Sequence, residues 1–357
     1  FALEVLFSHK ITHWQLSYDG RKKEPIHLPV KFPLLLAQGA EGIAVGLSTK
    51  ILPHNFNELL NASVNYLKGK KITLYPDFQT GGIIDIQNYN DGNRGGKVRV
   101  RARISKLDKK TLVINEIPYG TNTSSLIDSI LKANDRGKIK IKRIEDNTSS
   151  EVEIIVHLPN DISPDKTIDA LYAFTLCENS VSPLGCLIVD NKPNFMGVSD
   201  ILKISTDHTV QLLKMELEVQ LSDLEDQWHY ASLERIFIEN KIYRDIEKAE
   251  TWEEVISSIQ VGLQPHTENL KRNIVENDII KLTEIKIKRI SKFDLDKAQQ
   301  KIEILETDIE EVKNNLNHII DYTVRYFNHL KKSYGNDRER KSEIRIFDDV
   351  DARKVVT

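Results

Sequence analysis

Apolar residues in the second half of the chain recur at alternating intervals of three and four. The most regular run extends from Leu295 to Leu330, and a looser run extends from Val210 to Ala231. This spacing places apolar side chains along one stripe of a helix and is typical of a coiled-coil seam. We therefore predict a mostly α region, in which an ascending coiled-coil helix over residues 199–250 pairs antiparallel with a descending helix over residues 294–334.

The stretch between these two helices, residues 251–293, is both apolar and interrupted. Trp252, Ile256 and Ile285 belong to its apolar set, and Gln264-Pro265 breaks it. We interpret it as a small helical knob at the tip of a long helical hairpin. Its apolar content exceeds what two short helices can bury, so the sequence predicts a homodimer through residues 251–293.

The first half mixes strand patterns with helix patterns, which predicts an α+β domain over residues 33–198. Period-two alternation predicts strands, and three-four spacing or a capping residue predicts helices. The predicted hairpins join Lys97–Ile104 to Thr111–Ile117 and Lys138–Ile144 to Glu151–Leu158, and the predicted helices are Asn55–Lys68, Thr123–Asn134 and Ser163–Leu176. Phe1–Phe7 is expected to be the end of a helix, and residues 8–32 and 335–357 are expected to be linkers.

The most unusual segment is Leu28–Asn55, an apolar run interrupted by Gly39, Gly42 and Gly46. Glycines this close together allow a sharp turn and a close approach to another surface. Ile43 stands between two small residues on this run, so it is suited to act as an apolar wedge. The alternative interpretation is a buried loop that leads into the next helix.

Composition excludes several classes of protein. The chain has 357 residues and two cysteines, Cys177 and Cys186, which argues against a disulfide framework and favours a cytoplasmic location. No apolar run approaches the roughly 20 residues that cross a bilayer. The chain starts without methionine, a basic region or a cleavage site, so we interpret it as a fragment rather than a secreted precursor.

The net charge of −3 conceals a separation of charge along the chain. Residues 91–144 contain 14 Lys and Arg against 5 Asp and Glu, whereas residues 145–247 contain 7 against 20. Within the basic block, the four cations from Lys97 to Arg103 recur every second residue and share one face of a strand. This pattern indicates contact with the backbone of duplex nucleic acid, and the alternative is an ordinary solvated face.

The sequence contains no familiar motif of a catalytic centre. It has no GxSxG, HExxH or P-loop pattern and no paired-cysteine zinc spacing. Its ten histidines are scattered, and His54, near a helix start, suits a structural role better than an anion contact. We therefore expect neither catalytic residues nor a metal site in this chain.

Four sequence blocks resemble the A subunit of bacterial type IIA DNA topoisomerases, the gyrase and topoisomerase IV family. They are the glycine run, Asp77-Phe78-Gln79-Thr80-Gly81-Gly82, Gly95-Gly96-Lys97-Val98-Arg99-Val100-Arg101-Ala102-Arg103 and Glu116-Ile117-Pro118-Tyr119, in the family's order. The similarity runs from Phe1 to about Phe347. It implies that residues 1–32 end a winged-helix breakage-reunion domain, that residues 33–198 are the DNA-bending tower, and that residues 251–293 form the exit gate.

The resemblance also implies how the chain contacts DNA. Family members insert an isoleucine between base pairs beside the cleavage site, and the matching residue here is Ile43. Thr80, Gly120 and Asn122 match positions on the family's DNA path, although Thr123 stands where relatives often have lysine. Four cations could supply charge for phosphates around the wedge, namely Lys31, Lys50, Arg94 and Lys97.

The family's nucleophilic tyrosine precedes the position that matches Phe1, so the resemblance implies an inactive fragment. No cofactor is expected in it, since Mg²⁺ and ATP belong to the partner B subunit of an A2B2 complex. The implied function is ATP-dependent passage of one DNA duplex through a transient double-strand break in another. The exit-gate segment favours topoisomerase IV over gyrase, whose C-terminal pinwheel domain would begin after Thr357. The alternatives are a structural coiled-coil protein of chromosome organisation and a simple nucleic-acid-binding module.

Overall fold

The computed structural model describes residues 1–286, 288, 290 and 294–348. The chain divides into two compact units. The first comprises Phe1–Leu6, Val30–Thr209 and the chain from Val324, and the second comprises Phe7–Pro29 and Val210–Thr323. Helices and strands both occur, which confirms the general α+β class.

A short hairpin in the second unit replaces part of the linker that the sequence predicted. Its strands are β1 (Trp14–Leu16) and β2 (Lys23–Pro25), which pair in antiparallel register. Asp19 closes the turn between them, because its carboxylate accepts hydrogen bonds from the Ser17 hydroxyl at 2.6 Å and the Arg21 backbone N–H at 3.1 Å. The polar turn residues Asp19-Gly20 were visible in the sequence, but the short flanking strands were not.

The first unit combines short helices with small sheets. Its helices are α1 (Leu34–Gln38), α2 (Phe56–Leu67), α3 (Thr123–Asp135) and α4 (Pro164–Phe174). Its strands are β3 (Ala40–Ala44), β4 (Leu47–Ile51), β5 (Ile83–Asp85), β6 (Val98–Arg101), β7 (Arg103–Asp108), β8 (Thr111–Glu116), β9 (Arg143–Asp146), β10 (Ile154–His157), β11 (Glu178–Val181), β12 (Cys186–Val189), β13 (Lys192–Phe195) and β14 (Glu343–Ile344).

Two four-stranded sheets organise this unit, one in the order β11-β6-β5-β14 and one in the order β7-β8-β10-β9. Neighbouring strands are antiparallel, except that β14 runs parallel to β5. Each sheet buries its own apolar cluster. Ile84, Val98 and Val100 belong to the first cluster, and Leu112 and Ile154 belong to the second.

The strand pattern from Lys97 to Ile104 is divided between the two sheets. β6 ends at Arg101 and pairs with β5 and β11, whereas β7 begins at Arg103 and pairs with β8. Between them, the backbone N–H of Ala102 donates to the Cys177 carbonyl at 2.8 Å. The structure therefore contains the predicted antiparallel hairpin as β7 and β8. Its first strand begins at Arg103 rather than at Lys97. The alternation of side chains continues through Ala102 although the hydrogen-bond partner changes.

Helix α2 begins where the sequence predicted it, because Asn55 caps it by accepting from the backbone N–H groups of Asn57 and Glu58. The preceding His54 is 4% exposed, with Nδ1 3.2 Å from the Leu36 carbonyl. Burial lowers the pKa of His54 to about 4, so the ring is neutral near pH 7. This confirms a structural role for His54.

Residues 335–348 are packed within the first unit, although the sequence predicts a linker there. Arg340 places two guanidinium nitrogens 2.7 and 2.6 Å from the carboxylate oxygens of Glu58. The Asp77 carboxylate accepts the Ser342 backbone N–H at 2.8 Å. These partners are far away in sequence, so no local pattern could have indicated them.

The remaining helices are α5 (Val198–Glu239), α6 (Trp252–Leu263), α7 (Glu276–Thr283), α8 (Leu295–Asn317) and α9 (Ile319–Tyr334). Most of α5 and all of α6 to α8 belong to the second unit. Three side-chain pairs join α5 to α8, namely Arg235 with Gln299, Trp228 with Glu306 at 3.0 Å and Glu225 with Lys313 at 2.8 Å. The residue number falls along α5 as it rises along α8, so the two helices are antiparallel.

The predicted descending helix is interrupted at His318, where the backbone has φ −119° and ψ 45°. The apolar spacing in the sequence continues across His318. Val312 before this point and Leu330 after it are both buried. The sequence therefore predicted one helix, and the structure contains α8 and α9.

Between α5 and α8, the residues that the structure describes form a small helical cluster. Ile259, Leu263 and Leu282 pack against Leu233 and Phe237 of α5. Among the described residues of this cluster, the large apolar side chains that stay exposed are Trp252, Val261 and Val275. The end of the predicted knob, at residues 287, 289 and 291–293, lies outside the described residues. Within the described part of the chain, no helix combines the length and apolar character of a membrane span.

Candidate nucleic-acid interface

The glycine run folds into a β-hairpin with an exposed tip. β3 and β4 pair so that Ile43 faces Ser48, and Val45 and Gly46 form the two-residue turn. Gly46 has φ +77°, a conformation that side-chain-bearing residues rarely adopt. Ile43 is 91% exposed. The interpretation of this run as a buried loop is therefore wrong at Ile43, which the structure presents to solvent.

The base of this hairpin is held firmly. Gly39 has φ +72°, and a Cβ atom there would lie 2.6 Å from the carbonyl oxygen of Ile51, so the position accepts glycine alone. On the other side, Lys50 and Leu184 exchange backbone hydrogen bonds of 2.7 and 2.9 Å. These contacts fix the direction in which the hairpin projects from the first unit.

Arg94 and Lys97 are exposed in the glycine loop that precedes β6. β6 starts opposite the end of β11, where Val98 faces Val181. The hairpin contacts the chain slightly further on, at Leu184. The loop and the hairpin therefore both adjoin the short segment 181–184.

The two other predicted cations are less available to a phosphate. The Lys50 ammonium lies 3.0 Å from the Glu41 carboxylate, across the hairpin. Lys31 is 5% exposed, and its ammonium lies 5.9 Å from the ring centroid of Tyr326. A phosphate contact by Lys31 therefore has no support in this structure, because its side chain is buried within the first unit.

Thr80 is exposed on the turn that follows Phe78. Phe78 stacks on Tyr119 with the ring centroids 4.3 Å apart. Since Gly120 directly follows Tyr119, the stack brings the turn at Thr80 beside the loop at Gly120. Two of the predicted positions that are distant in sequence therefore lie in one neighbourhood of the fold.

Gly120 is exposed with φ +83°, and Asn122 caps helix α3. The side-chain oxygen of Asn122 accepts the Ser125 backbone N–H at 2.8 Å, and the Ser125 hydroxyl accepts the Asn122 backbone N–H at 3.3 Å. This reciprocal capping engages the Asn122 side chain, so the start of α3 alone is enough to account for an asparagine at this position. An anion near Gly120 would meet the positive end of α3.

Three of the four cations on the predicted basic face are paired with carboxylates. The pairs are Arg99 and Arg101 with Glu178, and Arg103 with Glu116 and Glu343, at N···O distances of 2.6–3.0 Å. The expectation of a free basic face is therefore wrong for the arginines. Their partners come from other strands, which spacing along one strand cannot reveal. Lys97, in contrast, is exposed.

No group of three His, Cys, Asp or Glu side chains in the described ranges is placed to hold a metal ion. What the arrangement offers instead is an exposed apolar tip, two exposed cations at a neighbouring loop and a polar turn beside a helix start. Such groups can insert into and hold a polyanion.

Residues 1–328 match the model of the family formed by the A subunits of DNA gyrase and topoisomerase IV. The chain is 40% identical over 356 residues to the DNA topoisomerase 4 A subunit of Borreliella burgdorferi, a match that covers 100% of this chain and 56% of that protein.

The DNA gyrase A subunit of Lawsonia intracellularis is 33% identical over 230 residues, which cover 60% of this chain and 28% of that protein. The corresponding gyrase protein of Leptospira biflexa is 27% identical over 345 residues, covering 90% and 40%. The chain thus spans little more than half of the Borreliella protein and less of the two others. Since the family match covers most of its length, the chain belongs to the family of DNA gyrase and topoisomerase IV A subunits.

Proposed function

We propose that this chain is the DNA-bending and exit-gate part of the A subunit of a type II DNA topoisomerase. The whole enzyme would pass one duplex through a transient double-strand break in another, using ATP and Mg²⁺ held by a partner B subunit. The proposal rests on family membership and on one observation, the exposure of Ile43 at the tip of an anchored hairpin.

An isoleucine in this position can act as a wedge between base pairs. Inserting an apolar side chain unstacks one base step, which costs a few kcal/mol, and the resulting bend lets the duplex meet more protein surface. Gly46 permits the tight turn at the tip. The backbone hydrogen bonds between Lys50 and Leu184 hold the base of the hairpin, so little conformational entropy is lost on insertion. We propose that Lys50, Thr80, Arg94, Lys97, Gly120 and Asn122 line the path of this bent duplex.

Replacing the wedge tests the proposal directly. In the complete A2B2 complex, with both proteins at full length, Ile43→Ala should shift the bending equilibrium toward straight DNA by about ten- to a hundredfold, since burial of an isoleucine contributes about 1.5–3 kcal/mol. Energy transfer between dyes at the two ends of a duplex reports the bend, and gel assays report cleavage. Duplex binding should change much less, because phosphate contacts supply most of it.

Leu107→Ala is the matched control for this experiment. Leu107 is 68% exposed near the tip of the β7–β8 hairpin, so the variant also removes an apolar side chain from a hairpin of the first unit. It should leave bending and cleavage unchanged. Normal bending by the Ile43 variant, or equal losses in both variants, would remove the wedge assignment.

We further propose that α5 and α8 form the stalk of an exit gate and that the helical cluster at residues 251–293 is its dimer contact. The supporting observations are the antiparallel pairing of the two helices and the exposure of Trp252 and Val261 on α6. Exposed aromatic residues of this kind are frequent in the centre of protein interfaces.

The double variant Trp252→Glu/Val261→Glu should weaken the homodimer by at least about a hundredfold, because each substitution occurs twice in a symmetric interface. Light scattering over a dilution series measures the dissociation constant. Ile304→Glu is the control, since Ile304 is 61% exposed on α8 outside the cluster. A double variant that dimerises as tightly as the wild type would place the interface elsewhere.

We expect the chain alone to be inactive, because the resemblance places the attacking tyrosine upstream of Phe1. The full-length A2B2 complex, supplied with Mg²⁺ and ATP, should relax supercoiled plasmid. A well-folded complex without this activity would favour the alternative, a structural coiled-coil protein of chromosome organisation. We favour topoisomerase IV over gyrase, which predicts decatenation without the introduction of negative supercoils.

A further inference from the structure

The basic block of residues 91–144 separates into two different surfaces when the chain folds. The arginines at its start are neutralised by Glu178, Glu116 and Glu343. The end of the block, residues 132–143, contains six cations and one acid, and all six cations are exposed. Arg94, Lys97, Lys109 and Lys110 are also exposed, but the densest run of exposed cations in the block is this second part.

Most of these six cations have no acidic partner. Lys132, Arg136, Lys140 and Lys142 make no ion pair with any carboxylate in the described parts of the chain. Arg143 pairs with Glu145, and the Lys138 ammonium lies 5.6 Å from the ring centroid of Phe174. Four uncompensated cations within eleven residues, 132–142, raise the local potential well above that of an ordinary mixed surface.

The backbone that carries these cations is held in place. α3 ends at Asp135, and the Asn134 side chain then accepts the Ile141 backbone N–H at 3.0 Å. The Lys142 backbone N–H donates to the His157 carbonyl at 2.7 Å, which leads the chain into β9. Ile139 is buried between Lys138 and Lys140, so the lysines alternate with residues that face the core. The cations are therefore presented by an ordered surface.

A groove beside this segment extends the positive surface. Its volume is about 340 Å³, and it lies between the chain at 137–140 and the start of α4. Lys138, Lys140 and Lys166 line it, against one acid, Asp161. The groove is thus suited to an anionic chain rather than to an apolar or cationic ligand.

We infer that the cationic surface formed by residues 132–143 and Lys166 binds the phosphate backbone of duplex DNA outside the segment that Ile43 would bend. This inference rests on the proposed function. A duplex fits better than single-stranded nucleic acid, because single-strand sites depend on exposed aromatic platforms. Phe174, which lies beside these lysines, has its ring covered by Lys138. A protein partner fits less well, since the surface offers little apolar area beyond Leu131 for an interface core.

The double variant Lys140→Gln/Lys142→Gln tests the inference in the full-length protein. Binding is measured by fluorescence anisotropy with a short duplex of about 20–30 base pairs, the length of a bent site, and with a duplex about twice as long, between about 50 and 200 mM salt. For the long duplex, the slope of log K against log salt should lose about 1.8, since each lost phosphate contact removes about 0.9. For the short duplex, slope and affinity should not change.

Two further variants make the outcome decisive. Lys109→Gln/Lys110→Gln removes the same charge from the exposed β7–β8 turn and should leave both slopes unchanged. Lys140→Arg/Lys142→Arg keeps the charge and should bind like the wild type. Equal losses for both duplex lengths, equal losses in the two glutamine variants, or an unchanged slope for the long duplex would each overturn the inference.

This test is independent of the wedge. If Ile43→Ala leaves bending intact while the slope for long DNA falls in the lysine variant, the wedge assignment fails and the cationic surface stands. If Ile43→Ala abolishes bending but the salt slope for the long duplex is unchanged in the lysine variant, the inference about the cationic surface is wrong and the wedge assignment stands. Thermal melting of each variant shows whether an altered slope reflects lost contacts or lost structure.

Discussion

A buried charged cluster in the second unit is the least expected feature at the scale of single residues. His229 is fully buried on α5, and its Nε2 lies 3.3 Å from the Asp278 carboxylate, which is 2% exposed. Arg272 donates two hydrogen bonds, of 2.7 and 3.0 Å, to the same carboxylate. Burial, reinforced by the positive charge of Arg272, lowers the pKa of His229, so the ring is neutral in the folded protein near pH 7.

The lowered pKa of His229 predicts how stability depends on pH. Unfolded histidine takes up a proton below about pH 6.5, and the folded ring takes it up at lower pH, so stability is lost as the pH falls through this range. Arg272→Met removes the positive charge beside both groups, so the pKa of His229 should rise. The free energy of unfolding should fall by about 1–3 kcal/mol at about pH 7.5, because the buried Asp278 carboxylate loses two donors while Arg272 itself is 39% exposed. The loss should be smaller at about pH 5.5, where a protonated His229 can balance Asp278.

Urea unfolding at the two pH values and an NMR titration of the His229 ring measure these effects. Arg244→Met is the control, because Arg244 is an exposed cation of the same unit. It should alter neither the titration nor the stability. A loss of stability in the Arg272 variant that is the same at both pH values, with an unshifted His229 titration, would contradict the electrostatic account.

At the scale of secondary-structure elements, the C-terminal strand β14 shows how one arginine can hold a segment. Besides its two contacts with Glu58, Arg340 donates to the carbonyls of Pro76 and Tyr75 at 2.8 and 3.0 Å. Its side chain is 21% exposed, so these hydrogen bonds are partly shielded from water. Strand β14 itself contributes few residues, so the contacts of Arg340 add to its backbone pairing with β5 and to the hydrogen bond from Ser342 to Asp77.

Arg340→Met should reduce the free energy of unfolding by about 2–3 kcal/mol, the usual cost of losing hydrogen bonds to a charged group. It should also speed amide hydrogen exchange and proteolysis within residues 340–347, because the strand would open locally. Mass spectrometry after exchange or brief digestion measures both.

Arg345→Met is the matched control for this prediction. Arg345 is 59% exposed and pairs with Glu343 two residues away, so its removal should cost little. If exchange in β14 is as slow in the Arg340 variant as in the control, the strand is held mainly by other contacts.

At the scale of the whole molecule, the sequence predicted what local patterns determine. Apolar residues at helical spacing located α2, α5 and α8. The four ordered blocks near the N-terminus identified the family. These features depend on neighbours within a few residues, which a single sequence displays.

Features that depend on distant partners were missed. The break at His318 does not disturb the apolar spacing, and the carboxylates that neutralise Arg99 and Arg103 lie on other strands. At the candidate interface, the solvent exposure of each side chain shows which predicted residues can reach a ligand, and the sequence does not display this exposure. Ile43 is at the surface and Lys31 is buried, although both stand in apolar surroundings in the sequence.

The parallel pairing of β14 with β5 has a consequence for biosynthesis. Glu343 lies opposite Ile83, so one edge of the first sheet stays open until the ribosome has delivered a strand that is encoded far downstream. Throughout that interval, β5 exposes unpaired backbone groups to other nascent chains. We therefore expect a translation product that stops before Ser342 to aggregate in a cell-free system. A product extended by the few residues that complete β14 should remain soluble.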